Sequence, residues 1–344
     1  MNDLIKRLCD EDGISGNEDP IRERILIEVG SAPDDIETDP LGNLIMEKGR
    51  NPLGLCTKIM LAAHMDEVGF RVRFIDKEGY IYFAKVGGIT DHGLPNQKVI
   101  IGSNRVSGVI GSKPPHKMDG DELKKLIKGK DLFIDIGVTS KEEAEKLVKI
   151  GDPIIFDTQS YQNGKFITGK AMDNRVGCAI LIEALWALET KKAKTAHKVY
   201  GVATVQEEVG LKGARTAAYK ISPDVAIALD TTIAGDHPGI EEKESTAKLG
   251  EGPVITISDG GVISGKSLND ELIRIAEQEE IPYQVEVGSG GTTDAWAIQL
   301  NQEGVLVTTI SVPARYIHTA ASVIHEDDMK NALKLLLKFI EEYE

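Results

Sequence analysis

Cysteine is scarce: Cys9, Cys56 and Cys178 are odd in number, far apart and form no C-x-x-C pair. This excludes a disulfide framework and a thiolate metal site, so the three read as small buried fillers in a reducing compartment. Long apolar runs are missing too. No stretch approaches the ~20 uninterrupted apolar residues of a membrane helix, so no membrane partner is expected. The N-terminal MNDLIKRLCDEDGISGNED passes straight into alternating charge without the apolar core of a signal peptide, and the expected location is the cytoplasm. Basic charge is in deficit, with 40 Lys and Arg against 55 Asp and Glu for a net charge of −15. A phosphate backbone rewards a basic stripe, so nucleic acid is excluded as a partner. Repeats of solenoid or propeller period and low-complexity tracts are absent as well.

What is present is an ordinary globular composition, 41% hydrophobic and 28% charged, over 344 residues. That length suits two domains, or one large domain carrying an insertion. Residues 1–68 read as mixed α/β, with helices near Asp3 to Cys9 and Pro20 to Val29, and a buried strand from Lys58 to Ala63 that delivers His64 at its end. Residues 69–166 change character. Phe70, Val72 and Phe74 alternate with Arg71 and Arg73, and short strands follow from Tyr80, Lys98, Val106 and Pro153, with one helix from Lys141 to Lys149. This insertion predicts a small β-barrel or sandwich, in which the proline- and lysine-rich stretch Lys113 to Lys130 forms a mobile loop. From residue 167 to 344 the chain returns to alternating strands and helices. Val176 to Leu188 is an apolar helix. Val199 to Val205, Val225 to Leu229 and Val305 to Ile310 are continuous apolar strands, the mark of a sheet covered on both faces. Leu333, Leu336, Leu337 and Ile340 place one apolar stripe on a closing helix. The predicted fold class is α/β, a mixed sheet flanked by helices and split in sequence by a β-rich insertion.

The chemistry gathers at strand ends. His64 and Asp66 follow one apolar strand, Glu207 and Glu208 a second and Asp230 a third, while His318 lies in the loop after a fourth. Open α/β sheets bind ligands at the carboxyl ends of their strands. Singly, each has a plain structural reading: His64 as a satisfied core histidine, Asp173 as the cap of the following helix, Glu207 and Glu208 as surface charges, His318 as a loop residue. Together they outweigh it. An Asp two residues after His64 can fix its tautomer. Gly210 lets the second strand break so that both glutamates converge. Asp230 at the end of a buried strand demands a partner or a metal. Carboxylates with imidazole and no thiolate suit Zn²⁺, Co²⁺ or Mn²⁺. Five ligands are too many for one catalytic zinc but suit two divalent ions about 3.5–4 Å apart that share one carboxylate, leaving Glu207 free as a general base.

These residues in this order resemble the M42 family of metallo-aminopeptidases, the tetrahedral TET peptidases. The matching stretches are Ala63-His64-Met65-Asp66-Glu67, Lys170-Ala171-Met172-Asp173-Asn174-Arg175, Gln206-Glu207-Glu208, Ala228-Leu229-Asp230 and Arg315-Tyr316-Ile317-His318-Thr319. Gly290-Gly291-Thr292-Thr293-Asp294-Ala295 resembles the family's substrate-side loop, implicating Gly291, Thr292 and Asp294, and Ser112 to His116 fits inside the insertion. The resemblance implies a zinc-peptidase-like catalytic domain and metal ligands His64, Asp173, Glu208, Asp230 and His318. Asp173 would bridge the ions, His64 and Asp230 would hold one, and Glu208 and His318 the other. Glu207 would act as base and Asp66 would orient His64. The substrates would be peptides with a free N-terminus, the insertion would be a dimerisation domain, and dimers would assemble into a dodecamer. His92 and His116, in the insertion, could reach an active site across a subunit interface, but surface or structural roles are favoured; His197, His237 and His325 read as surface residues. Three other readings are a deacylase on the same centre, a metal-free glycosidase using two carboxyls, and a non-catalytic assembly protein. Two ligand-type histidines count against the second, and an intact Glu207 against the third.

Overall fold

The computed structural model describes residues 1–49, 56–120, 127–191, 195–241, 243–244, 247–288 and 290–343. Two helices, α1 (Asn2–Cys9) and α2 (Asp19–Val29), precede β1 (Asp35–Thr38), β2 (Leu44–Lys48) and β3 (Lys58–His64). Six strands then close a barrel in the order β4-β5-β8-β7-β6-β9: β4 (Gly69–Ile75), β5 (Ile81–Val86), β6 (Lys98–Ile101), β7 (Val106–Gly111), β8 (Phe133–Asp135) and β9 (Pro153–Phe156). Helix α3 (Lys141–Leu147) lies between the last two. The chain continues through β10 (Tyr161–Asn163), β11 (Phe166–Gly169), α4 (Met172–Glu189), β12 (Lys198–Thr204), α5 (Lys212–Ile221) and β13 (Val225–Ile233). It ends with β14 (Val254–Ser258), α6 (Lys266–Gln278), β15 (Gln284–Val287), α7 (Asp294–Gln299), β16 (Leu306–Arg315), β17 (Ser322–His325) and α8 (Glu326–Glu342).

The large sheet runs β1-β2-β12-β3-β13-β16-β17-β11-β10, with β14 and β15 attached beside β16. Its centre, β12-β3-β13-β16, is parallel, and its flanks are antiparallel. The central strands read as unbroken apolar runs because both faces are covered. Ile59, Leu61 and Ala63 of β3 enter the core shared with α1, α2, α4 and α8, while Met60 and Ala62 join the core under α5 and α7. The expected α/β architecture with a barrel insertion is therefore what the chain adopts. Strand β10 pairs with β11 in the large sheet rather than with the barrel.

The barrel has its own core. Phe70 meets Phe83 and Phe156 edge to face, with ring centroids 4.8 and 5.4 Å apart. The same cluster takes in Ile89 from the turn after β5 and Ala320 from the loop between β16 and β17, so a loop of the large sheet is pinned to the barrel. Three sequence expectations need correction. A register shift between Val72 and Phe74 turns Phe74 outward, 52% exposed, while Ile75 takes the inward place. The buried stripe of α8 is Met329, Ala332, Leu335, Leu336, Phe339 and Ile340, with Leu333 and Leu337 at its margin, because α6 and the sheet cover a neighbouring face of the helix. His325 is buried, not superficial: its ring accepts the Asp327 N–H at the start of α8 and lies edge-on to Phe166. Within the stretch from Lys113 to Lys130, residues 121–126 lie outside the described residues; Pro115–Lys117 and Gly129–Asp131 form single 3₁₀ turns. Among the described residues, no helix is long and apolar enough to cross a membrane.

Candidate metal centre

The carboxyl ends of the parallel strands meet at one place. β3 ends at His64, whose register partner on β12 is Thr204, and β12 then turns out into Gln206-Glu207-Glu208. Gln206 takes a left-handed φ of 56°, and the N–H groups of Gly210 and Leu211 both donate to the Glu207 carbonyl, so the strand breaks into a tight turn. Both glutamates therefore face inward, as a continuing strand would forbid. Asp230 lies on β13 next to β3 in the sheet, and His318 lies in the loop after β16 with a left-handed φ of 60°. Asp173 precedes the regular part of α4: it and Asn174 have non-helical dihedrals, and the peptide bond between them is cis.

Two groups of ligand atoms result, each lying within 4.8 Å: His64, Glu207 and Asp230 in an inner group, and Asp173, Glu208 and His318 in an outer one. From the outer group Asp173 reaches both: its Oδ1 is 3.2 Å from His64 Nε2 and its Oδ2 is 3.1 Å from His318 Nε2. Asp230 Oδ1 stands 3.7 Å and Glu207 Oε2 3.9 Å from the same His64 nitrogen. His64 Nδ1 donates to the Asp66 carbonyl at 3.1 Å, which turns the Nε2 lone pair toward the carboxylates. The Asp66 carboxylate is 3.6 Å from Nδ1, and its closer bonds go elsewhere. It accepts the Glu207 N–H at 3.0 Å, the Glu208 N–H at 3.2 Å and the Ser15 hydroxyl at 2.6 Å.

The electrostatics follow from packing several carboxylates around two imidazoles. Burial alone would lower the His64 pKa, yet Glu207, Asp173, Asp230 and Asp66 outweigh it and raise it well above the usual imidazole range. Burial likewise opposes His318, but Asp173 and Glu208 bring it up to about 11. Glu207 is pushed well above the carboxylate range, first by burial and then by Asp230, Asp294 and Glu208; Glu208 and Asp230 are raised by burial too. Asp66 and Asp173 are held low against burial by the histidines beside them. Imidazoles and most carboxyls thus shift alike toward binding protons, as expected of a carboxylate cluster short of positive charge. Glu208 Oε1 is buried and 3.1 Å from His318 Nε2, but makes no hydrogen bond. The donor set, imidazole and carboxylate without thiolate, fits divalent Zn²⁺, Co²⁺ or Mn²⁺.

Several supporting residues carried no role in the sequence reading. Ser15 braces Asp66, and Glu18 Oε1 accepts the Gly16 N–H at 2.7 Å and the Gln206 N–H at 3.2 Å, holding the turn that bears both glutamates. Lys170, 2% exposed, donates to Glu67 at 2.6 Å and to the Glu11 carbonyl at 2.8 Å. Fully buried Arg175 lies 3.4 Å from Glu67 and donates to the Leu8 carbonyl. This buried triad ties the exit of β3 to the segment carrying Asp173. Only the adjacency of Glu67 to Asp66, and of Lys170 and Arg175 to Asp173, could have signalled it. In the loop expected to face the substrate, Gly291 is exposed, Thr292 half-buried and Asp294 buried. Asp294 Oδ2 accepts the Thr204 hydroxyl at 2.5 Å, and burial brings its pKa up to about 7. His92 and His116 are both exposed.

Comparison with known proteins agrees with this geometry. Residues 42–335 match the family model described as M42 glutamyl aminopeptidase. A curated putative aminopeptidase of Acetivibrio thermocellus is 40% identical over 99% of this chain and 98% of its own. An aminopeptidase structure from the archaeon Desulfurococcus kamchatkensis is 43% identical with a TM-score of 0.93, covering 99% of this chain and 94% of that one. The Pyrococcus horikoshii TET1 peptidase, whose structure is described as able to assemble into a tetrahedron or a large octahedral shell, is 36% identical over 99% of both chains, with a TM-score of 0.88.

Proposed function

This chain belongs to the M42 aminopeptidase family, a family of metal-dependent peptidases, and we propose that it hydrolyses the first peptide bond of substrates with a free N-terminus on a centre of two divalent ions. The observation that carries this is the position of Asp173, with one carboxylate oxygen toward the His64 side and the other toward His318. His64 and Asp230 would hold one ion, Glu208 and His318 the other, and Asp173 both. When bound, such a pair supplies Lewis acidity that acidifies water and polarises a carbonyl.

The chain's own residues do the rest. Glu207, buried and drawn toward protonation, takes the proton of the attacking water and returns it to the leaving amine. Asp66 holds the backbone of the Glu207 turn, so the base stays in register with His64. Gly291 and Thr292 line the substrate side, with Asp294 behind them bracing Thr204. Residues 69–166 would form a dimerisation domain inserted into a catalytic domain of residues 1–68 and 167–344. Likeness to the TET1 peptidase, described both as a dodecamer and as able to form a tetrahedron or an octahedral shell, supports assembly of this chain into a large oligomer, for which a dodecamer of dimers is the proposed form. Three free cysteines suit a cytoplasmic location.

The test is a panel of aminoacyl-p-nitroanilides with N-acetylated controls, assayed after chelation and after return of Zn²⁺, Co²⁺ or Mn²⁺. Metal-restored cleavage confined to free amines supports the reading. Cleavage of blocked substrates alone would replace it with a deacylase on the same residues.

A further inference from the structure

Four of the five proposed ligands are fixed by neighbours inside the large-sheet domain. His64 Nδ1 bonds the Asp66 carbonyl, Asp230 Oδ1 accepts the Thr231 N–H at 2.7 Å, Glu208 is tied through its N–H to Asp66, and Asp173 sits between both imidazoles. His318 differs. Its loop is left-handed at that residue, its side chain is 34% exposed, and no described residue forms a hydrogen bond with its Nδ1. The Nδ1–Cε1 edge of that ring lies instead beside the barrel, at the Gly87-Gly88 turn after β5.

A Cβ on Gly88 would stand 3.0 Å from His318 Nδ1 and 3.3 Å from Cε1; one on Gly87 would stand 2.7 Å from Val68 Cγ1 and 3.3 Å from Glu208 Cβ and Oε2. The two glycines thus meet the two outer-site ligands and no inner one. Gly87 has a φ of 81°, reason enough for glycine there. Gly88 has no such reason: its φ is outside the left-handed region and it is exposed, so neither backbone nor core packing calls for a missing side chain. What remains is room for the imidazole. Ile89 and Ala320, one and two residues from Gly88 and His318, are buried in the same barrel cluster, so turn and loop cannot easily slide apart. A methyl at 88 would displace the ring by a few tenths of an ångström, comparable to the roughly 0.2 Å tolerance of a metal–ligand distance.

We infer that Gly88 is a positioning residue of the barrel that sets His318 for the outer ion, making affinity at that one site depend on the insertion. This rests on the two-ion reading above. The test is calorimetric and visible-absorption titration of chelated protein with Co²⁺. The parent should take two equivalents. Gly88→Ala should keep the first at parental affinity and weaken the second about 10–100-fold, with the metal-free melting temperature unchanged. Gly93→Ala, whose added Cβ meets nothing within 4 Å, should match the parent. In a His318→Ala background, Gly88→Ala should add nothing. Parental affinity for both equivalents in Gly88→Ala, equal weakening of both, or an undiminished effect without His318 would overturn the assignment. A parent that takes fewer than two equivalents would instead refute the two-ion reading, and this proposal with it.

Discussion

The two halves of the centre are built by different means. His64 and Asp230 ride on neighbouring β3 and β13 in the middle of the sheet, and both are nearly inaccessible. Glu208 and His318 ride on turns with left-handed residues, Gln206 and His318 itself, and their outer wall belongs to the barrel. Strand ends braced by hydrogen bonds on both sides place an atom rigidly; turns place it only as well as their supports do. The inner half should therefore resist perturbation and tie itself to the stability of the sheet. The outer half should respond to changes far away in sequence.

The sharpest way to erase the difference is to remove what the halves share. Asp173→Ala should abolish binding of both equivalents and reduce turnover to background, measured by calorimetry and p-nitroanilide hydrolysis. One equivalent retained at full affinity would show that Asp173 serves a single half. Glu207→Gln separates chemistry from assembly: turnover should fall about 10²–10⁴-fold with both equivalents still bound. Near-normal turnover with metals in place would remove Glu207 from the role of base.

The comparison itself is tested by matched histidine variants. His64→Ala removes a buried imidazole that lies within 3.9 Å of the Asp173, Asp230 and Glu207 carboxylates, and its cost to the metal-free protein should be about 3 kcal/mol or more. His318→Ala removes a partly exposed ring, and its cost should be about 1 kcal/mol or less. Denaturant titrations of the chelated variants decide this; equal losses would mean that the halves do not differ in rigidity.

Much of this cluster was legible because its residues follow apolar runs. Residues 58–63 and 225–229 are covered on both faces, so their alternation vanishes and the polar residue that follows each run, His64 or Asp230, stands out. The supports were not legible for a physical reason. Ser15 and Glu18 lie in a polar N-terminal segment that looks like surface, and only the contact of that segment with the β3 exit, through the Ile14 and Glu67 bridge, brings them to Asp66 and Gln206. Gly87-Gly88 gave no signal in the sequence, since nothing local reveals that a histidine some 230 residues later lies beside it. Phe74 misled in the opposite sense. Its alternation was clean, but a one-residue shift in pairing reversed the face it presents.

The smallest expected effect on turnover concerns the brace both halves lean on. Ser15 donates to Asp66 at 2.6 Å, and Asp66 holds the N–H groups of Glu207 and Glu208, one from each group. Ser15→Ala leaves both backbone bonds in place and removes one hydrogen bond to a buried carboxylate, worth about 1.5–3 kcal/mol where fully lost. The burden should fall on the turn rather than on His64, whose Nδ1 bonds the Asp66 carbonyl and not the side chain. Turnover should therefore drop several-fold while first-equivalent affinity stays near parental, with Ser15→Thr restoring most of the loss. If Ser15→Ala weakened the first equivalent as strongly as the second, Asp66 would be acting through His64, and the inner half would depend on the N-terminal segment as much as the outer half does.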